Sequence, residues 1–314
     1  MSKTTVAAEE CAALGAKGLT LESYPNRDTR LGQLHISRAL PIRDRRMVGP
    51  WCFLDRFGPL SFTGEAPMDV PPHPHIGLQT VSWLLEGEVL HTDSLGCEAL
   101  LRPGGTNVMT AGRGVSHAEQ TPAHNSGRLS GIQLWVALPH AHRNVEPSFS
   151  GIEEVPMFEG RGGIIRVFAG SLGGVRSPAQ HFSEIVGADV QVHAGAAVEI
   201  ELDPAFEHAV QVLDGQCLFE GQPLHERALH YLGAGRGSGA FSSSAGGRLL
   251  LIGGPPFPET ILMWWNFVAR TPGEIAEARS DWEAQRRFGE LPGYPRPRLA
   301  APDLVRFARP NPLS

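Results

Sequence analysis

Two short segments of the chain each carry a pair of side chains that can bind a metal ion. His73 and His75 are separated by one residue, and so are His117 and Glu119, which follow 44 residues after the first pair. Residues i and i+2 of an extended segment face the same side, so the members of each pair point in one direction. Three imidazole nitrogens and one carboxylate oxygen suit a divalent ion of iron, nickel, copper, manganese or zinc. The spacing therefore predicts a metal site, provided that the fold brings the two pairs together.

Proline and glycine place both pairs at the ends of strands. The first pair lies in the run Pro71-Pro-His-Pro-His75, and proline has no N–H to give to a sheet ladder, which favours a strand end or an edge. The second pair comes soon after the turn Gly112-Arg-Gly114. A single pair of this kind is more often a polar surface pair or a satisfied core pair. Two pairs in a β-rich chain favour the metal site.

The rest of the chain is dominated by short apolar or alternating runs that end at turn residues. Such runs are Gln79–Leu85, Ile132–Leu138, Ile164–Phe168, Ala196–Leu202, His208–Leu213 and Arg248–Ile252. Many short strands with regular turn signals predict an all-β fold, a sandwich or a jelly-roll barrel, and not βαβ units. With 37 glycines and 26 prolines in 314 residues, the composition fits a high density of turns and strand ends.

One helix is predicted near the end of the chain. The run Thr271-Pro-Gly-Glu274 offers an N-cap, a proline at the first helical position and a glutamate at the third, which together form a capping box. Gly289 can end this helix, and the proline-rich tail Leu291–Ser314 predicts an extended arm on the surface. The helix has an apolar face with the spacing i, i+3 and i+7: Ile275, Ala278 and Trp282.

A weak internal repeat indicates two similar domains. Ala111-Gly-Arg-Gly114 recurs 123 residues later as Ala234-Gly-Arg-Gly237, and Leu85–Val89 recurs loosely 128 residues later as Leu213–Cys217. Duplication of a β-domain, with a division near residues 150–160, explains both similarities. A turn that is common in chains rich in arginine and glycine explains the first of them as well.

The second copy lacks the metal-binding residues. At the offset of 123, the two pairs correspond to Ala196, Val198, Ala240 and Ser242. At the offset of 128, the first pair corresponds to Glu201 and Asp203, which are more typical of an exposed strand end than of a metal site. We therefore predict that the second domain binds no metal.

Composition and charge exclude several classes of function. The formal net charge of −6 argues against a broad nucleic-acid surface, so we expect no direct binding of DNA or RNA. The four cysteines form no C-x-x-C pair, which is typical of reduced cysteines in a cytoplasmic protein. The N-terminus has no apolar signal-like segment and no run approaches 18 apolar residues, so we expect neither export nor a membrane span.

Several segments resemble the pirins, a family of proteins with two cupin domains. His73–Val89 is similar to the first pirin signature, and Met109–Glu119 matches the second almost residue for residue. Phe53–Pro59 is similar to the family segment before the first histidine pair, and Pro272–Ala278 resembles its C-terminal helix. These similarities span about residues 30–290.

The resemblance implies an all-β bicupin made of two tandem jelly-roll barrels. Residues 1–155 would form an N-terminal cupin domain with the metal site, and residues 156–314 a cupin-like domain without metal, together with the helix and the tail. Gln79 stands where the family commonly has a glutamate. A neutral amide accepts hydrogen bonds less strongly than a carboxylate, which predicts that the surroundings of the ligands affect the metal's properties differently in this chain. Trp264-Trp265-Asn266 replaces the family's glycine and proline, which predicts a surface specific to a subgroup. The implied ion is one divalent metal, usually Fe²⁺, with His73, His75, His117 and Glu119 as ligands.

The activity that the resemblance implies is that of a quercetin 2,3-dioxygenase, which cleaves a flavonol with dioxygen. Glu119 is the natural general base, because it is the one anionic ligand of the set. Phe53, Trp83 and Met109 are candidates for an apolar wall against a flat aromatic substrate, although each is also an ordinary core residue. Four further histidines are not assigned as ligands: His91, His124, His140 and His142. His91 either lines the barrel or is an ordinary polar strand residue, and the second interpretation is favoured.

Two other interpretations stay open. The family also contains regulatory proteins, so the chain can be a redox-responsive protein that binds a transcription factor or a metabolic enzyme without catalysis. Trp264 and Trp265 would mark the surface for such a protein partner if they are exposed. The metal site can also be vestigial or structural. In all three cases we expect a cytoplasmic monomer.

Overall fold

The structure is a computed structural model that describes residues 9–11, 21–31, 34–64 and 67–304. The last ten residues of the predicted C-terminal arm lie outside this part of the chain. Two short strands come first, β1 (Glu9–Cys11) and β2 (Glu22–Pro25), and both pair with strands from the second half of the chain.

The first half of the chain forms a barrel of two facing antiparallel sheets. Its strands are β3 (Arg27–Leu31), β4 (Leu34–Leu40), β5 (Trp51–Ser61), β6 (Asp69–His75), β7 (Leu78–Gly87), β8 (Val89–Asp93), β9 (Glu98–Leu101), β10 (Thr106–Thr110), β11 (Val115–Gln120), β12 (Arg128–Ala137) and β13 (Ser148–Ile152). The larger sheet has the order β13-β10-β7-β12-β5-β4-β3, and the smaller one has the order β6-β11-β8-β9.

The second half repeats this architecture. Its strands are β14 (Met157–Gly160), β15 (Gly163–Leu172), β16 (Val175–Arg176), β17 (Val186–Val192), β18 (Ala196–Glu201), β19 (Glu207–Gly215), β20 (Cys217–Phe219), β21 (Gln222–Leu224), β22 (Ala228–Gly233), β23 (Ser238–Ser243) and β24 (Gly247–Gly254). The larger sheet has the order β14-β15-β17-β24-β19-β22-β2, with β16 paired to β15, and the smaller one has the order β18-β23-β20-β21.

The two barrels correspond strand for strand. The order β10-β7-β12-β5-β4 in the first barrel matches β22-β19-β24-β17-β15 in the second, and β6-β11-β8-β9 matches β18-β23-β20-β21. This correspondence confirms the all-β prediction of two tandem barrels, and it favours duplication over a chance repeat of one turn sequence.

The interior of the second barrel is apolar at the positions that match the histidines. His117 lies opposite His73 in the first barrel, and the inward-facing pair at the same place in the second barrel is Phe241 opposite Val198. The 123-residue offset assigns Ala196 to His73 and Ala240 to His117. Val198 and Phe241 lie two positions and one position further along, because the loops before the two strands differ in length. Val198 and Phe241 belong to the buried cluster that fills this barrel.

Alternate residues of β7 face two different environments. Val81 and Trp83 point out of the first barrel and pack against the second one. The Trp83 indole N–H donates to Asp189 Oδ2 at 2.8 Å, and its ring stacks on Phe168 with 5.1 Å between centroids. The proposal that Trp83 forms a substrate wall is therefore wrong, because this side chain joins the two barrels.

The C-terminal segment begins with a hairpin and the predicted helix. The hairpin is formed by β25 (Ile261–Trp264) and β26 (Phe267–Ala269), and β1 pairs with β25. The helix α1 (Pro272–Glu283) begins as predicted, because the Thr271 side chain accepts from the N–H of Glu274, and its apolar face is buried. It ends at Glu283, six residues before the expected Gly289.

The described part of the tail packs on the first barrel. The Leu299 N–H donates to the carbonyl of Pro72 at 2.9 Å, and the Trp282 indole donates to the carbonyl of Leu299 at 2.8 Å. The arm thus links α1 to the strand that carries the first histidine pair. Within the described residues, no helix has the length and hydropathy that a membrane crossing requires.

Trp264 and Trp265 do not form an exposed aromatic surface. Trp264 is 1% exposed, and Trp265 is half-buried against Phe267 and Trp282. The expectation that they mark a docking surface is wrong, since they form the core between the hairpin and α1.

His208 is a buried histidine of the second barrel that makes the protein sensitive to acid. It is 1% exposed, its Nδ1 has no hydrogen-bond partner among the described residues, and burial lowers its pKa from 6.5 to about 4. Between pH 6.5 and about pH 4, His208 is therefore mostly protonated in the unfolded chain and mostly neutral in the folded chain. Stability contributed by the neutral ring is present above about pH 6.5 and is lost as the pH falls towards about 4.

We predict that His208→Asn reduces the acid sensitivity of unfolding. At pH 5, protonation of His208 in the unfolded chain costs about 2 kcal/mol of stability relative to pH 7, and the variant lacks this loss. Urea unfolding of the metal-free protein at both pH values measures the difference for each chain. Equal pH dependence in the wild type and the variant would contradict the assignment.

Candidate metal centre

Two neighbouring strands bring three histidines together. His73 and His75 lie on β6, and His117 lies on β11 directly opposite His73. The ring centroids are 4.4 Å apart for His73 and His117, and 5.0 Å apart for His75 and either of the other two. One nitrogen from each ring lies within 4.8 Å of the others, and all three side chains are buried. The first histidine pair and the histidine of the second pair therefore converge, with one nitrogen from each of the three rings available to a common ion.

Backbone carbonyls orient two of the three rings. The Nδ1 atoms of His73 and His75 lie 2.9 Å from the carbonyl of Pro71 and 3.0 Å from the carbonyl of Asn266. A carbonyl oxygen accepts only, so both rings carry their proton on Nδ1 and present an unprotonated Nε2 to the cluster. This is the arrangement found in metal-binding histidines. The Trp264-Trp265-Asn266 segment thus acts through its backbone, by holding His75.

The spacing of the nitrogens fits a metal ion. His75 Nε2 and His117 Nε2 are 3.1 Å apart. Two nitrogens that each lie about 2.1 Å from a metal and subtend a right angle are separated by about 3.0 Å. His75 and His117 accordingly have the spacing of two adjacent metal ligands.

Burial keeps the histidines neutral. Removal from water lowers the pKa of His73 to about 4 and lowers the pKa values of His75 and His117 well below 6.5, with the neighbouring rings adding to the effect. Neutral imidazole is the form that binds metal, so the site is ready for a cation at neutral pH without release of ring protons.

Glu119 lies beside the cluster and groups with a different set of side chains. The regular pairing of β11 with β8 places Glu119 opposite His91. On the other side of β11, the register against β6 shifts between His117 and Glu119, so that Glu119 lies opposite Val70. Its carboxylate lies within 4.8 Å of ligand nitrogens of His91 and His117, and Ser82 Oγ donates to it at 3.5 Å. Burial raises the pKa of the Glu119 carboxyl group. Three of the four predicted ligands thus converge, and the fourth is adjacent to one of them.

His91 is part of the site, contrary to the sequence-based expectation. It is 3% exposed, stacks on Phe149 at 4.5 Å, and places its Nδ1 3.3 Å from His117 Nδ1. Its Nε2 lies 3.1 Å from Asp93 Oδ2. The signal was present in the sequence, because His91 and Asp93 have the same i, i+2 spacing as the two pairs that were recognised. His124, His140 and His142 lie outside both groups.

Aromatic side chains line the barrel beside the histidines. Phe53 stacks on Trp135 with 4.1 Å between centroids, and Trp135 meets the edge of His75 at 5.2 Å. Met109 belongs to the same buried cluster. Phe53 and Met109 therefore lie on the side of the barrel that was expected for them, and Trp135 is an addition that sequence patterns did not single out.

Gln79 faces away from the metal cluster. Its Nε2 donates to Thr110 Oγ1 and to the carbonyl of Gln180, both at 2.9 Å, and its Oε1 accepts from His181 Nδ1 at 3.1 Å. The expectation that Gln79 tunes the metal is wrong, because alternation along β7 sends this side chain to the interface with the second barrel.

We predict that Gln79→Glu weakens folding and leaves metal affinity unchanged. A carboxylate in this buried place loses both donated hydrogen bonds and faces the carbonyl of Gln180, which costs about 1–3 kcal/mol. Urea unfolding and anaerobic Fe(II) titration measure the two quantities. Gln191→Glu on the exposed face of β17 is the control, with a change below about 0.5 kcal/mol. A tenfold change in affinity at unchanged stability would refute the assignment.

The double barrel and its histidine cluster define a class of protein. Two barrels with the same strand order, each with two facing antiparallel sheets, form a bicupin, and the group that can hold a divalent metal lies in the N-terminal cupin.

The chain belongs to the pirin family. The Pirin family profile matches residues 33–136, and the profile of the Pirin C-terminal cupin domain matches residues 187–289. A Pseudomonas aeruginosa protein provisionally named quercetin 2,3-dioxygenase is 41% identical over 274 residues, which cover 87% of each chain. A pirin-like protein of Caulobacter vibrioides is 35% identical over 263 residues, which cover 82% of this chain and 90% of that protein.

Solved structures show the same fold. The crystal structure of quercetin 2,3-dioxygenase from Acinetobacter baumannii matches with a TM-score of 0.89 and 42% identity, over 92% of this chain and 97% of that one. A bacterial pirin from Escherichia coli in complex with nickel(II) matches with a TM-score of 0.61 and 15% identity, over 76% of this chain and 100% of that one. The likeness to the second structure concerns the fold alone.

Proposed function

We propose that the protein is a metal-dependent dioxygenase that cleaves a flavonol of the quercetin type. The observation that carries the proposal is the convergence of three neutral, buried histidines, with one ring nitrogen of each within 4.8 Å of the others and Glu119 beside His117. The similarity to the Pseudomonas aeruginosa and Acinetobacter baumannii proteins, which bear the name of this activity, supports the choice of substrate class.

We infer that the ligands are His73, His75, His117 and Glu119, and that the metal is Fe²⁺. A set of nitrogen and carboxylate ligands with open positions is typical of iron sites that bind substrate and dioxygen, and nickel, copper, manganese and zinc suit the same atoms. A short reorientation of the Glu119 side chain brings its carboxylate from the His91 side to the histidine cluster. The four residues lie on β6 and β11, within the proposed N-terminal domain 1–155.

The chain supplies a base and an apolar contact for the reaction. A bound divalent metal would favour the anion of the substrate's enol oxygen and provide a position for dioxygen. Glu119 takes the proton from that hydroxyl, and the raised pKa of its carboxyl group makes it a better proton acceptor than an exposed carboxylate. Phe53 and Trp135 form a stacked apolar pair beside His75, and we propose that a flat substrate packs against Trp135.

The proposed second domain, 156–314, supports the first without binding metal. Its interior holds Val198 and Phe241 at the matching positions, and a carbonyl from its hairpin orients His75. Asp189 of this domain holds the Trp83 indole at the interface. We propose that this domain is a scaffold for the metal centre of the other.

Aerobic turnover of quercetin by Fe(II)-loaded protein tests the activity. We expect consumption of dioxygen and loss of the flavonol absorbance in equal amounts, both abolished by removal of the metal. Protein loaded with Ni, Cu, Mn or Zn is assayed in parallel, with a characterised quercetin dioxygenase as positive control. Absence of turnover with every metal would overturn the proposal.

The regulatory interpretation loses the surface marker that exposed tryptophans would have given it, since Trp264 is buried and Trp265 packs against Trp282 of α1. The monomeric state and the cytoplasmic location stay predictions.

A further inference from the structure

A line of hydrogen-bonding groups runs from a buried carboxylate to one of the proposed ligands. Asp93 Oδ2 lies 3.1 Å from His91 Nε2, and His91 Nδ1 lies 3.3 Å from His117 Nδ1. His117 Nε2 in turn faces His75. The carboxylate and both rings are buried, with exposures of 5% or less. His117 is also the one member of the histidine cluster whose Nδ1 meets another ring nitrogen instead of a backbone carbonyl.

Two tautomers of this line are possible, and they have opposite effects on metal binding. If His91 is protonated on Nε2, its Nδ1 accepts from His117 Nδ1–H, and His117 presents a free Nε2 to the cluster. If His91 is protonated on Nδ1, it donates to His117, whose proton then lies on Nε2 and blocks the ligand atom. A neutral imidazole has one donor and one acceptor, so the group beyond His91 selects between these two states.

Asp93 is held as an ionised acceptor. Its Oδ1 accepts from the N–H groups of Leu95 and Cys97, at 2.9 and 3.0 Å. Burial alone would raise the pKa of Asp93, but the hydrogen bonds from His91 and from these two N–H groups outweigh it and lower the pKa. An ionised carboxylate can only accept, so it requires the proton on His91 Nε2.

We propose that Asp93 and His91 are positioning residues that fix the tautomer of His117 and so keep its Nε2 free for the metal. This inference rests on the metal site of the proposed function and adds two residues to it. Partners of this kind commonly change metal affinity by about 10- to 100-fold when they are removed.

Asp93→Asn tests the proposal with little change of shape. The two N–H groups hold the amide oxygen at the place of Oδ1, so the NH₂ group faces His91 and donates to its Nε2. Both hydrogen bonds then reverse direction: His91 Nδ1–H donates to His117 Nδ1, and the proton of His117 moves to Nε2. In ¹⁵N NMR spectra of the metal-free protein, we expect His117 protonated on Nδ1 in the wild type and on Nε2 in the variant. Wild-type His117 protonated on Nε2 would overturn the proposal.

Anaerobic Fe(II) titration gives the second readout. We expect Asp93→Asn to weaken binding by about 10- to 100-fold. His91→Phe keeps the stacking on Phe149 and removes the hydrogen-bonded link between Asp93 and His117. Adding Asp93→Asn to this variant should therefore cause no further loss of Fe(II) affinity. Equal losses from Asp93→Asn in both backgrounds would show a merely structural role and overturn the proposal.

The two proposals fail in different ways. A wild-type chain that takes up none of Fe(II), Ni, Cu, Mn and Zn, with His117 protonated on Nδ1, overturns the proposed function and leaves the tautomer assignment standing. Equal Fe(II) affinity of the wild type and the Asp93→Asn variant overturns the positioning role and leaves the metal site standing.

Discussion

Replacing His117 by alanine is expected to leave the protein with almost no bound metal, against about one ion per chain in the wild type. The His117 ring centroid lies 4.4 Å from that of His73 and 5.0 Å from that of His75, and its Nε2 lies 3.1 Å from His75 Nε2. Its loss removes a direct ligand, so the affinity should fall by more than the roughly 100-fold that is typical of losing an outer partner. Turnover of quercetin should disappear with the metal.

The control for this variant is His208→Ala, which removes an equally buried histidine from the other barrel. It should lower stability and leave the metal content at the wild-type value. Metal content is measured by elemental analysis after purification without added metal. Full metal content in the His117 variant would show that the ion binds elsewhere.

Replacing Glu119 by glutamine is expected to lower turnover by about 10²- to 10⁴-fold, the range that general-base catalysis contributes. The amide oxygen can still approach a metal, but the neutral side chain cannot take the substrate proton. Metal content should therefore change little, since the three histidines remain. This separation of turnover from metal content distinguishes loss of a base from loss of the site.

Glu201→Gln, an exposed position on β18 in the second barrel, is the matched control and should have wild-type turnover. Steady-state assays of dioxygen consumption at saturating Fe(II) measure both variants. Activity within a factor of about three of the wild type for Glu119→Gln would rule out the residue as the base.

Much of the fold and the three histidines could be predicted because they depend on local rules. Alternation along a strand puts His73 and His75 on one face whatever the rest of the chain does. Turn residues between short apolar runs predicted an all-β fold, the internal repeat and the family resemblance predicted its two barrels, and the cap at Thr271 placed the start of α1 correctly.

The errors concern contacts that no local pattern determines. Trp83 and Gln79 face the second barrel because of how two separate sheets pack, and an alternating strand gives no sign of which face meets another domain. Glu119 lies opposite His91 because β11 pairs with β8 on the side away from β6, and no local pattern shows which strand becomes that neighbour. The carbonyl of Asn266 orients His75 across 191 residues, which is beyond any sequence motif.

The most direct test of the metal centre is an anomalous difference map at the absorption edge of the bound metal, from crystals of protein purified without added metal. We expect one peak about 2.0–2.2 Å from Nε2 of His73, His75 and His117 and from a carboxylate oxygen of Glu119. Elemental analysis of the same protein identifies the edge and should give iron. A peak in the second barrel, or no peak between these four residues, would contradict this expectation.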